Sequence, residues 1–329
     1  MNWNGAQMLQ RYLPSVVEHC PKDCEVVVAD NGSTDDSVNI LRETFPSVRL
    51  ILFPENYGFA EGYNKALNQI ESEYVVLLNS DVEVTAGWLS PLLAYLDEHE
   101  DVAAVQPKIR AWYDKTLFEH AGAAGGFIDS LGYPYCRGRI MSDLEHDKGQ
   151  YDTPIDIFWA TGACFVTRTA VYKEVGGLDA SFFAHMEEID LCWRLHSRGY
   201  RLVCLPSSVV YHLGGGALPY ESPRKTYLNF RNSLLTLYKN NTTARLLCIL
   251  PLRCILDYIA TLQYLLKKQK ANAKAVLSAR CDYHHMKKDM REKRQHNLAL
   301  SVNKKIAEQR PFSIVFRFFL LRQHRYSQL

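Results

Sequence analysis

An apolar run that stops at a carboxylate is the feature that most constrains how this chain folds. Residues 74–78 read Tyr-Val-Val-Leu-Leu, and Asn79-Ser80-Asp81 follows at once. A short, continuously apolar run is typical of a strand buried on both faces, and open α/β sheets bind ligands beyond the carboxyl ends of such strands. Asp81 is therefore a candidate ligand of a metal or phosphate site, although these residue types also favour an ordinary turn.

Similar runs alternate with helical stretches over the first 212 residues. Strands are predicted at 25–29, 48–53, 102–109, 157–167, 201–205 and 209–212, and helices at 6–20, 36–45, 62–70, 88–99, 168–175 and 184–198. This rhythm predicts a doubly wound α/β sheet. Residues 110–155 have no regular pattern and predict a long surface excursion over an active site. The opening residues resemble the end of a strand, so we expect the first strand of the sheet to be truncated.

Charge divides the chain into two parts. The net charge is +2, yet residues 221–329 hold 22 Lys and Arg against 6 Asp and Glu, while residues 1–220 hold 16 against 30. This asymmetry predicts an acidic catalytic or metal-binding domain at 1–223 and a basic helical extension at 224–329 that faces a membrane or a nucleic acid.

Apolar stretches bordered by Lys and Arg lie between residues 245 and 325. Their uninterrupted runs are shorter than a membrane span, and they suit helices lying on an anionic bilayer. Helices that pack on the catalytic domain and show a solvated basic face would give the same pattern. Nucleic acid is not expected, because the aromatic residues sit among aliphatic ones. Nine cysteines without a Cys-x-x-Cys pair indicate a cytoplasmic chain, which the membrane interpretation places peripherally on the inner face of the cytoplasmic membrane.

Two loops at strand ends offer groups for binding a nucleotide. Asp30-Asn31-Gly32-Ser33 combines a carboxylate with amide and hydroxyl groups that hydrogen-bond a base or a ribose. The stretch 56–64 contains Gly58 and Gly62, which let the backbone approach a ligand closely near a helix start. Its spacing is neither the dinucleotide fingerprint nor a Walker motif, which argues against hydride transfer and P-loop phosphoryl transfer.

A cluster of carboxylates opens the predicted helix at 184–198. Glu187, Glu188 and Asp190 lie within four residues, and their mutual repulsion raises the pKa of at least one, which suits a general base. The alternative is that acidic residues in a first helical turn complement the helix dipole.

Taken in order, these motifs resemble the family 2 glycosyltransferases, inverting enzymes of the GT-A fold, and particularly their bacterial rhamnosyltransferase-like branch. The resemblance runs from Asn2 to about Asn240. It implies a Rossmann-like nucleotide-sugar-binding domain with a mixed, mostly parallel central sheet. It also implies that Asp81 and His212 bind a divalent cation, Mg²⁺ or Mn²⁺, that Asn4, Asp30 and Asn64 contact the nucleotide, and that Gly162 borders the donor sugar.

The same resemblance assigns the chemistry. The family's acidic pair falls on Glu187-Glu188, so Glu188 is the expected general base, while Asp190 shapes the acceptor side. The implied reaction is a direct displacement that moves a sugar from a dTDP-, UDP- or GDP-linked donor to a hydroxyl of a glycan or lipid-linked acceptor, in surface polysaccharide biosynthesis. Two alternatives are a catalytically inactive nucleotide-sugar-binding subunit and a sugar nucleotidyltransferase. The latter would ordinarily show a glycine-rich loop bearing Arg or Lys near the N-terminus, which residues 2–6 do not provide.

Overall fold

The first third of the chain alternates strands with helices, as its apolar pattern predicts. The computed structural model describes residues 1–214, 222–303 and 305–329. In chain order, the elements up to residue 111 are α1 (Ala6–Glu18), β1 (Val27–Asp30), α2 (Ser37–Thr44), β2 (Arg49–Leu52), α3 (Gly58–Leu67), β3 (Tyr74–Leu78), β4 (Val82–Val84), α4 (Ser90–Glu98) and β5 (Val102–Ala111). The helix predicted at 62–70 begins earlier, at Gly58, so the glycine-bearing loop supplies its first turn.

The segment 110–155 is part of the core, and its prediction as a surface excursion is wrong. It contains four short antiparallel strands, β6 (Gly126–Ile128), β7 (Pro134–Cys136), β8 (Arg139–Ile140) and β9 (Asp143–Leu144). Three of its aromatic side chains, those of Phe118, Phe127 and Tyr135, are almost fully buried in the main hydrophobic cluster. Strands of two or three residues are too short to show a period in the sequence, so no sequence pattern predicts them.

The next elements are β10 (Ile155–Asp156), β11 (Cys164–Arg168), α5 (Thr169–Glu174), a 3₁₀ turn (Ala180–Phe182), α6 (Glu187–Ser197) and β12 (Arg201–His212). The two strands predicted at 201–205 and 209–212 are one strand, β12, whose register against β5 shifts between Leu205 and Val209. Pro206 lies at this shift, and proline is tolerated in a sheet interior mainly at such bulges because it has no N–H to donate.

The central sheet is mixed, as expected, but the expectation that it is mostly parallel is wrong: among its described pairings only β12 with β5 is parallel, because β3, β4 and β10 each pair with an antiparallel neighbour. Its order is β10-β12-β5-β11-β3, with β4 also paired to β12. β12 runs parallel to β5, whereas β11 is antiparallel to both β3 and β5. β1 and β2 form a separate parallel pair, and Asn2 makes a single parallel bridge to Asp30 on the other edge of β1. Apolar side chains including Leu9, Leu13 and Val28 line a cavity between β1 and the end of β3.

The C-terminal part is helical, as predicted. Its helices are α7 (Pro223–Asn240), α8 (Thr243–Leu266), α9 (Lys270–Met286), α10 (Arg291–Ala299) and α11 (Ile314–Phe319). α7 packs against α6, α9 and α10, so the extension touches the element that carries the acidic cluster. The predicted domain boundary between residues 223 and 224 remains a prediction. Within the described residues, α8 is the one helix long and apolar enough to cross a membrane by length and composition.

Candidate active site

Pairing of β4 with β12 brings the two predicted metal ligands together. Val82, the first residue of β4, lies opposite His212, the last residue of β12. Asp81 therefore sits beside His212, and its Oδ1 lies 3.1 Å from His212 Nε2. Both side chains are buried. Asp81 thus lies next to a second potential ligand, 131 residues distant in sequence.

A second carboxylate, Glu119, flanks the other side of the imidazole, with its Oε2 3.4 Å from His212 Nδ1. Burial opposes the charge on His212, but Glu119 and Asp81 outweigh it and raise the pKa of His212 to about 10. Burial likewise opposes ionisation of Glu119, but the imidazolium prevails and lowers the pKa of Glu119 to about 2. No sequence pattern indicates Glu119, because this residue lies in the segment 110–155, which has no regular pattern.

The donor set fits a divalent cation that completes its coordination with donor oxygens. Carboxylate oxygen and imidazole nitrogen are ligands of Mg²⁺ and Mn²⁺ type sites, and metal binding displaces protons from such groups. The two carboxylates on either side of His212 make a negative environment, which favours a bound cation. Over the ranges that the structure describes, no three His, Cys, Asp or Glu side chains form a complete metal site, so a bound cation needs further ligands.

The predicted nucleotide loop is held closed by its own side chains. Asp30 is buried and accepts from Asn2 Nδ2 at 2.8 Å and from the Ser33 hydroxyl at 2.7 Å. Asn4 has a positive φ of 48°, and its Oδ1 accepts from the backbone N–H of Thr34 at 2.7 Å. These bonds bring Asn4, Asp30 and Ser33 together at the end of β1.

Asn31 connects this loop to the glycine-bearing one. Its Nδ2 donates to the carbonyl oxygen of Gly58 at 2.9 Å, and its Oδ1 accepts from Tyr57 N at 3.1 Å. Gly58 has φ of +79°, and a Cβ there would lie 2.6 Å from the ring of Phe183. Phe183 precedes the acidic cluster, so the predicted donor loop and the predicted base loop are in direct contact.

Asn64 and Gly162 occupy different surroundings. The Asn64 amide donates to Leu178 O at 2.7 Å and accepts from the Tyr172 hydroxyl at 2.8 Å, so its side chain ties α3 to the turn after α5. Gly162 lies against Phe59, which a Cβ at this position would approach to 3.2 Å. Gly162 therefore lies beside the N-terminus of α3, where Gly58 also lies. The side chain of Asn64, in contrast, forms its hydrogen bonds with Leu178 and Tyr172.

Glu187 and Glu188 open α6 as a pair of carboxylates with unusual proton affinity. Glu187 is buried, Glu188 is partly exposed, and the Oε2 atom of each has no hydrogen-bond partner among the described residues. Burial raises the pKa of Glu188 to about 7. Burial and then the neighbouring Glu188 raise the pKa of Glu187 well above its ordinary value. A carboxyl that titrates near neutral pH suits a general base.

Asp190 does not belong with this pair. The prediction that it is a catalytic residue is wrong. Its carboxylate is fully buried and accepts from Arg194 at 2.9 Å, Lys239 at 2.7 Å and Asn240 at 2.8 Å. Burial opposes ionisation, but Lys239 and Arg194 outweigh it and hold the pKa of Asp190 below its usual range. A buried carboxylate with three donors cannot contact a substrate, and Asp190 instead joins α6 to α7.

Lys225, in the first turn of α7, interacts electrostatically with His185, next to the glutamate pair, and with Glu119, next to His212. Burial and then the Lys225 charge lower the pKa of His185 to about 4. Burial also lowers the pKa of Lys225, while Glu119 opposes that change. Lys225 was not identified from the sequence, because one lysine among 22 basic residues after position 220 carries no distinguishing signal.

Comparison with known proteins identifies the family of the chain. The family model described as Glycosyl transferase family 2 matches residues 2–176. An N-acetylglucosaminyl-diphospho-decaprenol L-rhamnosyltransferase of Mycobacterium tuberculosis is 26% identical over 219 residues, which cover 62% of this chain and 71% of that protein.

Two solved glycosyltransferase structures share the fold. The S. aureus TarS fragment 1–349, in complex with UDP-GlcNAc, has a TM-score of 0.54 at 18% identity, over 91% of this chain and 87% of that chain. The mannosyltransferase PcManGT from Pyrobaculum calidifontis, in complex with GDP-Man and Mn²⁺, has a TM-score of 0.52 at 17% identity, over 91% and 83%.

Proposed function

Since this chain belongs to glycosyl transferase family 2, we propose that it moves a sugar from a nucleoside diphosphate to a hydroxyl of a lipid-linked glycan, with inversion at the anomeric carbon. The name of the mycobacterial relative describes rhamnosyl transfer to a decaprenol-linked N-acetylglucosamine, and the structural neighbours hold UDP-GlcNAc or GDP-Man. These names support a nucleoside-diphosphate sugar as donor, which we propose to be dTDP-, UDP- or GDP-linked, and a place in surface polysaccharide biosynthesis.

The single observation that carries the mechanism is the state of Glu188. A base must be unprotonated and free to accept a proton near the working pH, and Glu188 combines a pKa of about 7 with an Oε2 that bonds to no described residue. In the proposed step the acceptor oxygen attacks the anomeric carbon while its proton passes to Glu188. The bond from that carbon to the diphosphate oxygen breaks, and the nucleoside diphosphate leaves with the electron pair.

Asp81 and His212 are the residues that would hold a divalent cation, with Glu119 behind His212 as a second carboxylate. A bound cation supplies positive charge that stabilises the leaving diphosphate. The Asn4, Asp30 and Ser33 loop and Gly58 are proposed to receive the nucleotide, and Gly162 to border the donor sugar.

A ligand screen tests the donor and metal assignments. We expect one of the UDP-, GDP- or dTDP-sugars to raise the melting temperature, and Mg²⁺ or Mn²⁺ to increase that shift, because a ligand of the folded state adds stability by mass action. Asp81→Ala removes a proposed cation ligand and should weaken the metal-dependent part of the shift. A melting temperature indifferent to every nucleotide sugar, with or without metal, would contradict the proposal.

The outer face of α8 supports peripheral membrane binding, on the cytoplasmic side where nucleotide sugars are available. Large apolar side chains repeat along this face and are roughly half exposed or more: Leu247, Leu252, Ile255, Tyr258, Ile259, Leu262, Leu265 and Leu266. From Leu252 onward they recur at spacings of three and four residues, which form one continuous stripe on a helix. An exposed stripe of this length is typical of a surface that meets another apolar phase.

The opposite face of α8 is anchored to the protein. Arg253 and Asp257 are fully buried, Asp257 accepts from Arg280 of α9 at 2.5 Å, and the Arg253 guanidinium lies 4.0 Å from the centre of the Tyr133 ring. A helix tied along one side to buried ion pairs cannot be surrounded by lipid. Lys267, Lys268 and other cations follow its end, so α8 suits a helix lying on an anionic bilayer.

Liposome binding tests this placement. We expect retention on vesicles of anionic phosphatidylglycerol, weakening with added salt, and little retention on phosphatidylcholine. Ile255→Glu with Ile259→Glu should abolish retention, whereas Leu52→Glu, at an exposed leucine of β2, should preserve it. Equal binding to both vesicle types, or concentration-dependent dimerisation lost in the α8 variant without lipid binding, would contradict it.

A further inference from the structure

The loop that precedes the glutamate pair has a backbone that most residues avoid. Phe183, His185 and Met186 have φ values of 65°, 68° and 71°, in the left-handed region that is unfavourable for side chains with a Cβ. α6 begins at the next residue, Glu187, and its N-cap Met186 makes no side-chain capping bond. Such a backbone persists only where the surrounding structure holds it.

One side chain of α7 gathers the carbonyl groups of this loop. Asn232 is fully buried, and its Nδ2 lies 3.0 Å from Phe182 O, 2.9 Å from Ala184 O and 2.7 Å from His185 O. The amide nitrogen carries two hydrogens, so the three carbonyl oxygens share them. The remaining carbonyl of the stretch, Phe183 O, accepts from Phe59 N at 2.8 Å.

The neighbouring Arg231 fixes the orientation of this amide. Its Nε donates to Asn232 Oδ1 at 2.9 Å, and its terminal nitrogen donates to Phe182 O at 3.0 Å. Because the amide oxygen accepts from a guanidinium, which can only donate, the amide nitrogen must face the loop.

We propose that Asn232 is a positioning residue of the active site. By holding the carbonyl groups of residues 182, 184 and 185 on one amide, it fixes the left-handed loop that sets the direction of Glu188 at the start of α6. The Oε2 atoms of Glu187 and Glu188 have no hydrogen-bond partner among the residues that the structure describes, so the backbone must set much of their position. The inference rests on the proposed function for the role of Glu188, and it assigns Asn232 no contact with substrate.

The test compares Asn232→Ala and the milder Asn232→Ser with Asn241→Ala. Asn241 is a matched control, because it is a buried asparagine at the end of α7 whose amide donates to Leu237 O of its own helix at 3.0 Å. Four quantities are measured for each folded variant: donor Kd, kcat at pH 8.5, the midpoint of the acidic limb of kcat, and hydrogen exchange over residues 183–188.

For Asn232→Ala we expect kcat to fall about a hundredfold, as a misplaced reacting group costs, with donor Kd changed less than about twofold. The acidic limb should move to lower pH, because a loosened carboxyl gains contact with water, and the loop should exchange faster. Asn232→Ser retains one donor and should lie between wild type and Asn232→Ala. Asn241→Ala should lower stability without moving the acidic limb.

Wild-type kcat and pH profile in Asn232→Ala would overturn the proposal, as would a change identical to that of Asn241→Ala. If Asn232→Ala does not fold, Asn232→Ser decides, and unchanged kcat with unchanged loop exchange overturns it. If the wild-type protein transfers no sugar, the proposed function fails by itself. Loop exchange then still decides whether Asn232 holds residues 183–186, and exchange as slow as in wild type overturns that.

Discussion

Replacing Glu188 by Gln should stabilise the protein at alkaline pH, because the proposed base is kept at a cost to folding. The pKa of this carboxyl rises from 4.5 to about 7 on burial. A group with a raised pKa binds its proton more tightly in the folded state. Its contribution to stability is therefore present below about pH 4.5 and is lost as the pH rises through about 7.

The size of the expected change in unfolding free energy follows from the difference between these two pKa values. Each pH unit between the two pKa values corresponds to about 1.36 kcal/mol, so the cost of the ionised carboxylate reaches about 3 kcal/mol above pH 8. Part of the Glu188 side chain is accessible, and water screens part of the cost, so we expect about 2 kcal/mol. Glutamine keeps the shape without the charge, and Glu187 remains in both proteins.

Urea unfolding of wild type and Glu188→Gln at pH 4.5 and pH 8.5 measures this difference. The two proteins should be nearly equally stable at the lower pH, and the variant about 2 kcal/mol more stable at the higher pH. Glu71→Gln, at an exposed glutamate, is the control and should show no such pH-dependent gain. A Glu188→Gln variant that is equally or less stable than wild type at pH 8.5 would refute the assigned environment of Glu188.

Three further outcomes are expected. The transfer rate should rise with pH through about 7 and level off above it, because Glu188 acts as a base only when ionised; a rate that falls over this range would contradict that role. Lys239→Met removes the ammonium between two buried aspartates, at 2.5 and 2.7 Å, and should cost about 3 kcal/mol of unfolding free energy in urea; an unchanged midpoint would show that the bridge contributes nothing. Gly58→Ala places a Cβ 2.6 Å from the Phe183 ring at φ +79°, so donor affinity in calorimetry should fall, and wild-type affinity would contradict the contact.

Much of the fold was predictable because its strands and helices are long enough to show their period. The buried run at β3 is found at the predicted residues, Tyr74–Leu78, and α1 and α4 lie within a few residues of their predicted bounds. The short strands β6 to β9 were not predictable, because two or three residues carry no period and their burial depends on distant partners.

Asp81 and Glu188 stand out in the sequence because a carboxylate lies at a strand or helix end, whereas His212 is indicated only by the family resemblance. The structure brings Asp81 and His212 together, and the roles of all three residues stay predictions. The roles of Glu119 and Asn232 depend on tertiary contacts, which no local spacing records. Asp190 shows the converse limit. Its place in an acidic motif predicts a catalytic role. Its partners Lys239 and Asn240, however, come from α7, about 50 residues later in the sequence.

The most direct test of the account is the stereochemistry and base dependence of sugar transfer. Wild type and Glu188→Gln are incubated at pH 8.5 with the nucleotide sugar that gives the largest thermal shift, the preferred divalent cation, and a polyprenyl-diphosphate-linked N-acetylglucosamine acceptor. We expect a product whose anomeric configuration, read by NMR, is opposite to that of the donor. We also expect Glu188→Gln to bind the donor normally but to transfer about 10² to 10⁴ times more slowly. A product with retained configuration, or normal turnover in Glu188→Gln, would contradict the proposed mechanism.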